Sequence, residues 1–185
     1  MTTAATLLTA EQFAEQFGNI PFCELVRGEV VELTARGLIH SRTVGRAYFL
    51  VETWARQSGL GRAFTGETGV FTEHDPDTVR GADIAYFSYG RLPRETELPS
   101  GFSRIPPELV IEVLGKGHGW DEMYEKVSEY LRAGVDAVWV LDPDSRSLSA
   151  FRPNTPPVVL EAEAEIRDEA LLPGFSCHDS QFFED

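Results

Sequence analysis

The chain has 185 residues, 42% hydrophobic and 25% charged, a composition that predicts one folded domain and excludes a disordered polypeptide. Its formal charge of −14 argues against a strong nonspecific nucleic-acid binder, because phosphate contact draws on Lys and Arg. No run approaches the roughly 18 apolar residues of a membrane span, and Met1–Ala10 lacks the basic-then-apolar order of a signal peptide, so the expected setting is the cytoplasm.

Thr9 and Gln12 have the spacing of a capping box ahead of Phe13 and Phe17, which predicts a short first helix ending near Gly18. Phe22–Val26 and Glu29–Leu33 flank Arg27-Gly28, a hairpin pattern whose glycine can take positive φ. A helix is expected over Ser41–Arg56, with Val44, Ala47, Tyr48, Val51 and Trp54 as its apolar stripe and Gly59-Leu60-Gly61 as its stop. Short strands follow at Arg62–Thr65, Gly69–Thr72 and Ala82–Phe87. Pro93, Pro99, Pro106 and Pro107 make Ser88–Pro107 a long loop. Glu108–Leu114 (ELVIEVL) reads as a compact strand, Gly115–Gly119 as a flexible link, and Trp120–Ala133 as a helix closed by Gly134. Ala137–Leu141 and Leu148–Arg152 are joined by the turn Asp142-Pro143-Asp144-Ser145. A last strand pair is expected over Val158–Ile166, before Leu172-Pro173-Gly174-Phe175. This order predicts an α/β fold, a mixed central sheet with helices packed on it, forming one domain over residues 1–185.

Glu112 is the most informative residue. Both faces of its strand are apolar except for this carboxylate, and burying it unpaired would cost several kcal/mol. It therefore calls for a metal, hydrogen-bond donors or a salt bridge to an arginine. Asp83, at the start of the strand Ala82–Phe87, reads alone as a turn residue capping its own backbone. Taken together, a strand-borne Asp and Glu can converge on one hard divalent cation, which polarises a phosphodiester and acidifies bound water. Lys126 lies at the rim of the apolar arc Met123, Val127, Tyr130 and Leu131 and is the candidate positive group. Its alternative is a snorkelling lysine paired with Glu122 or Glu129, and Lys116 competes with it for the role. Its neighbours Asp121, Glu122, Glu125 and Glu129 read as exposed. His40, near Arg36, Arg42 and Arg46, could serve a phosphate, a proton transfer or the metal, or simply be a polar residue at a helix start. Glu29 and Glu32 could extend the site or be solvated hairpin acids. Cys23 and Cys177 have no ligand spacing and read as reduced thiols.

The charge is unevenly spread. From Glu161 to Asp185 eight acids meet one arginine, a net of −7, whereas from Glu24 to Thr65 six arginines meet four acids, a net of +2. A basic region is compatible with the −14 total.

ELVRGEVVEL (Glu24–Leu33), His40, VRGADIAYF (Val79–Phe87), PPELVIEVL (Pro106–Leu114), EKVSEYLRAGVDAVWVLDP (Glu125–Pro143) and LPGF (Leu172–Phe175) follow one another in a telling order. In that succession the chain resembles the Uma-type endonuclease family of the restriction-endonuclease-like PD-(D/E)XK superfamily, over nearly its whole length. The resemblance implies a restriction-endonuclease-like core, with Asp83 and Glu112 as metal-binding acids. The superfamily's usual lysine would fall at Leu114 and is displaced to the following helix, at Lys126. Ala82 replaces the usual proline, and Gly115-Lys116 replaces Ser-Pro. The implied activity is Mg²⁺- or Mn²⁺-dependent hydrolysis of DNA. Asp83, Glu112 and the Val113 carbonyl would hold the metal, Lys126 would position or activate the attacking water, and His40 would assist at the phosphate. A homodimer is compatible with this reading, and no membrane partner is expected. The alternative is a catalytically inactive member that binds nucleic acid or protein. No phosphate loop, GxSxG elbow or HExxH helix is present.

Overall fold

The structure, a computed structural model, describes residues 7–18, 20, 22–115, 119–161 and 164–184. Along the described residues run α1 (Ala10–Phe17), β1 (Cys23–Val26), β2 (Glu29–Glu32), α2 (Leu38–Ser58), β3 (Gly61–Glu73), β4 (Thr78–Ser88), β5 (Leu109–Val113), α3 (Trp120–Arg132), β6 (Ala137–Asp142), β7 (Ser147–Phe151), β8 (Val158–Glu161), β9 (Glu165–Arg167) and β10 (Ser176–His178). The expected α/β architecture is present: a mixed central sheet flanked by the three helices. Its strand order is β2-β1-β4-β5-β6-β7-β8, with β3 antiparallel on β4. β5 and β6 are parallel, so the chain must cross over between them, and α3 makes that crossover.

Alternation along the central strands sorts their side chains to two faces. Leu109, Ile111, Val113 and Trp139 pack with Ala47, Val51 and Trp54 of α2. Val110, Leu114, Val138 and Val140 pack with Met123, Val127 and Tyr130 of α3. Glu112 falls on the α3 side of this alternation, which brings it under Lys126 and Tyr130.

Several expectations on element bounds change. The second helix is Leu38–Ser58, beginning three residues earlier, so buried His40 lies within its first turn. Its end is as expected, with Gly59 left-handed at φ 68°. The two strands expected at Arg62–Thr65 and Gly69–Thr72 are parts of one strand, β3, carrying an irregularity between Thr65 and Thr68. β4 begins at Thr78, so Asp83 lies mid-strand and is not the expected strand-opening turn residue. Finally, the Val158–Ile166 stretch is not a strand pair of its own: β8 pairs with β7, and β9 pairs with β10. The capping box of α1 forms, with Gln12 N donating to Thr9 Oγ1 at 3.2 Å.

Candidate active site

The site occupies a gap on one edge of β4. Along that edge β4 pairs first with β1, at Val79↔Leu25, and then with β5, from Ile84↔Ile111 to Tyr86↔Leu109. Between these pairings lie Arg80, Gly81, Ala82 and Asp83. Buried backbone groups need partners, and here side chains supply them. Gly81 N donates to Glu24 Oε1 at 3.0 Å, and Gly81 O accepts from Lys126 Nζ at 2.8 Å. Asp83 Oδ2 accepts from Val113 N at 2.8 Å, so the carboxylate bridges to β5 just past the last paired residues. In that register Asp83 stands opposite Glu112.

On its other edge β4 meets a bulge. β3 places Gly66 and Glu67 across from the single residue Asp83, between the pairs Thr65↔Ile84 and Thr68↔Ala82. Both bulge residues have positive φ, 95° for Gly66 and 59° for Glu67, and the latter is a strained value for glutamate. The bulge turns Glu67 toward Gly81, where a Cβ would lie 2.7 Å from Glu67 Oε2. Thr65 Oγ1 completes the surround by donating to Asp83 O at 2.9 Å.

Glu112 is buried and accepts from Tyr130 OH at 2.9 Å, while Lys126 Nζ lies 3.0 and 3.1 Å from its two oxygens. Lys126 also reaches Glu24 Oε1 at 3.1 Å. Glu24 in turn takes Arg80 Nη1 at 2.9 Å, and Arg80 forks onto Glu129 through Nε at 2.6 Å and Nη2 at 2.8 Å. Burial pushes the Glu112 carboxyl up to about 8 despite the lysine, with Asp83 and Glu24 adding to the rise. Burial also acts to raise Asp83, but His40, Lys126 and the Val113 amide together hold it below the ordinary carboxylate range. Glu24 behaves similarly: Lys126 and Arg80 outweigh its burial and keep it low. Glu67 is raised by burial and by Asp83.

His40 Nε2 lies 3.3 Å from Asp83 Oδ2, with both side chains 6% exposed. Asp83 is the only acidic partner of that nitrogen among the described residues, at a distance and angle short of a well-formed hydrogen bond. Among the described residues no three His, Cys, Asp or Glu side chains converge as a cation cage. A hard cation here would draw on Asp83 and Glu112, with backbone oxygen and water completing its shell.

The four residues expected at the centre, Asp83, Glu112, Lys126 and His40, thus come together around the gap in β4. Lys126 pairs with Glu112 and Glu24, not with Glu122 or Glu129 as its bland alternative required. Glu129, expected to be exposed, is fully buried on Arg80. Glu29 and Glu32 are exposed on β2 and take no part in the hydrogen bonds of Asp83 and Glu112 among the described residues. Lys116 lies outside the described residues. A cavity of about 370 Å³ opens beside Glu112 and Lys126, and one of about 280 Å³ beside Asp83 and His40. A larger groove of about 890 Å³, walled by Phe64, Phe87, Leu98 and Phe102, touches none of the four.

Residues 10–180 match the family described as "Putative restriction endonuclease" (Uma2). The chain belongs to this family. A crystal structure from Anabaena variabilis ATCC 29413, described as "a putative nuclease belonging to DUF820", shares the fold, with a TM-score of 0.82 and 21% identity over 95% of this chain and 97% of that one. No curated protein matches the chain. Among the described residues no helix is long and apolar enough to cross a membrane.

Glu24, Arg80, Glu129 and Glu67 are members of the site that sequence reasoning missed. Glu24 and Arg80 lie within the segments that carry the family resemblance, which was a usable signal. Glu129 also lies in such a segment, but an acid in an acidic helix reads as solvated. Glu67 was marked only by the interruption between two expected strands.

Proposed function

We propose that this chain is a Mg²⁺- or Mn²⁺-dependent endonuclease that hydrolyses DNA phosphodiester bonds at Asp83 and Glu112. The observation that carries the reading is the gap in β4, where Asp83 is held by the Val113 amide opposite Glu112, with His40 Nε2 3.3 Å from its carboxylate. Asp83, Glu112 and the Val113 carbonyl would hold the cation. When bound, the cation polarises the phosphodiester and makes its water a stronger nucleophile. Lys126 fixes Glu112 and Glu24 in place from the α3 side and so positions the carboxylate that would hold the cation and its water. His40, on the Asp83 side, assists at the phosphate and can pass a proton as water adds to phosphorus and one P–O ester bond breaks.

Purified protein is expected to nick supercoiled DNA with Mg²⁺ or Mn²⁺ and to stop when the metal is chelated. Asp83→Ala and Glu112→Ala should each reduce the rate by at least about 100-fold. Cleavage that survives both substitutions sinks the mechanism. A second reading, a non-catalytic member that binds nucleic acid or protein, draws on the four oxygens already crowding Lys126 and on the −14 charge. An intact acid pair that takes up no Mn²⁺ in calorimetric titration would favour it.

A further inference from the structure

The largely buried cations beside the acid pair are already committed to protein oxygens. Lys126 Nζ has Gly81 O, both oxygens of Glu112 and Glu24 Oε1 within 3.1 Å, four acceptors for three N–H donors. Arg80 is divided between Glu24 and Glu129. A phosphodiester arriving here would face Glu24, Glu67, Asp83 and Glu112, and the charge that develops on its oxygens needs a donor of its own.

Arg36, in the segment between β2 and α2, is placed to be that donor. It lines the cavity beside Glu112 and Lys126 and also the cavity beside Asp83 and His40, and no other described residue borders both. Its Nε is buried without a hydrogen-bond partner among the described residues. Nor does any carboxylate among the described residues form an ion pair with it. Glu67 interacts with it electrostatically. Arg36 is therefore a cation held at the junction of the two cavities with donor capacity unused. A planar guanidinium suits this task, since its fork matches phosphate oxygens.

We propose that Arg36 is a catalytic residue that grips a non-bridging oxygen of the scissile phosphodiester and neutralises the charge gathering there as water attacks. No bond to Arg36 forms or breaks. The inference rests on the nuclease reading above and adds to it the group that receives the substrate phosphate.

The test uses the full chain, the variants Arg36→Ala and Arg36→Lys, and two separate readouts. In plasmid cleavage with Mg²⁺, Arg36→Ala should lower kcat by about 100-fold or more, with Arg36→Lys recovering part of the loss. Calorimetric Mn²⁺ affinity should be unchanged in both. In binding of a DNA duplex with Ca²⁺ in place of Mg²⁺, read by fluorescence anisotropy across a salt series, Arg36→Ala should flatten the salt dependence by about one phosphate contact. Cleavage by Arg36→Ala within about twofold of wild type overturns the inference and leaves the nuclease reading standing. A loss of cleavage accompanied by a loss of Mn²⁺ affinity also overturns it, because Arg36 would then be shaping the metal site. If the wild type cuts nothing, the nuclease reading and the catalytic role fall together. The phosphate contact is then decided by the salt slope, and an unchanged slope removes it as well.

Discussion

Glu112 concentrates the conflict that a functional site builds into a core. Its strand neighbours are apolar on both faces, yet its carboxylate is buried against Lys126 and Tyr130. In the metal-free protein its carboxyl is pushed up to about 8 from an ordinary 4.5. The folded state thus binds this proton more tightly than the unfolded state does. The stabilisation is full below about 4.5, declines as pH rises, and is gone above about 8. Urea denaturation of metal-free protein should show stability declining across that interval, and Glu112→Gln should flatten the decline. An identical pH slope in both proteins would contradict this picture of Glu112. The carboxylate was legible in the sequence because ELVIEVL has no other polar position among its buried residues. Its supporting network was not, because the partners are far apart along the chain: Glu24 with Arg80 and Arg80 with Glu129 join β1, β4 and α3. One acid among several on α3, Glu129 carries no mark in sequence of the guanidinium that Arg80 places against it.

Among the elements, β4 is where sequence reading and structure differ most informatively. The expected strand Ala82–Phe87 covers its apolar half. It leaves out Thr78–Gly81, where Arg80 is a largely buried ion-pair partner and Gly81 offers its backbone to Glu24 and Lys126. Similarly, Gly66-Glu67 looked like a break between two strands and is a bulge within one. Turn-like residues inside a strand are ambiguous in sequence, since bulges and turns both use glycine and positive φ. The bulge makes its own prediction. Glu67 holds φ at 59° and carries a carboxyl raised by burial and by Asp83. Glu67→Gly should relieve both the backbone strain and the like-charge contact, stabilising metal-free protein by about 1 kcal/mol as a higher urea midpoint. A lower midpoint would mean that the Glu67 side chain supports the fold.

For the whole molecule, the mixed sheet and its flanking helices were within reach of motif order and strand periodicity, whereas Asp83 entered beside Glu112 mainly through the family resemblance. Charge was the harder guide. A net of −14 spread evenly would oppose any approach of DNA, but the described acids are unevenly engaged. Glu24, Glu112 and Glu129 are matched by Lys126 and Arg80, and Glu184 lines a small cavity with Arg42 and Arg46 of α2. On the nuclease proposal, the cation adds positive charge between Asp83 and Glu112. The most direct test is a crystal of the protein soaked in Mn²⁺ and read by anomalous scattering. The expected result is one strong peak with carboxylate oxygens of both Asp83 and Glu112 within about 2.0–2.6 Å and water completing its shell. A site left without a peak while Mn²⁺ gathers on exposed acids elsewhere would contradict the metal centre, and the nuclease proposal with it.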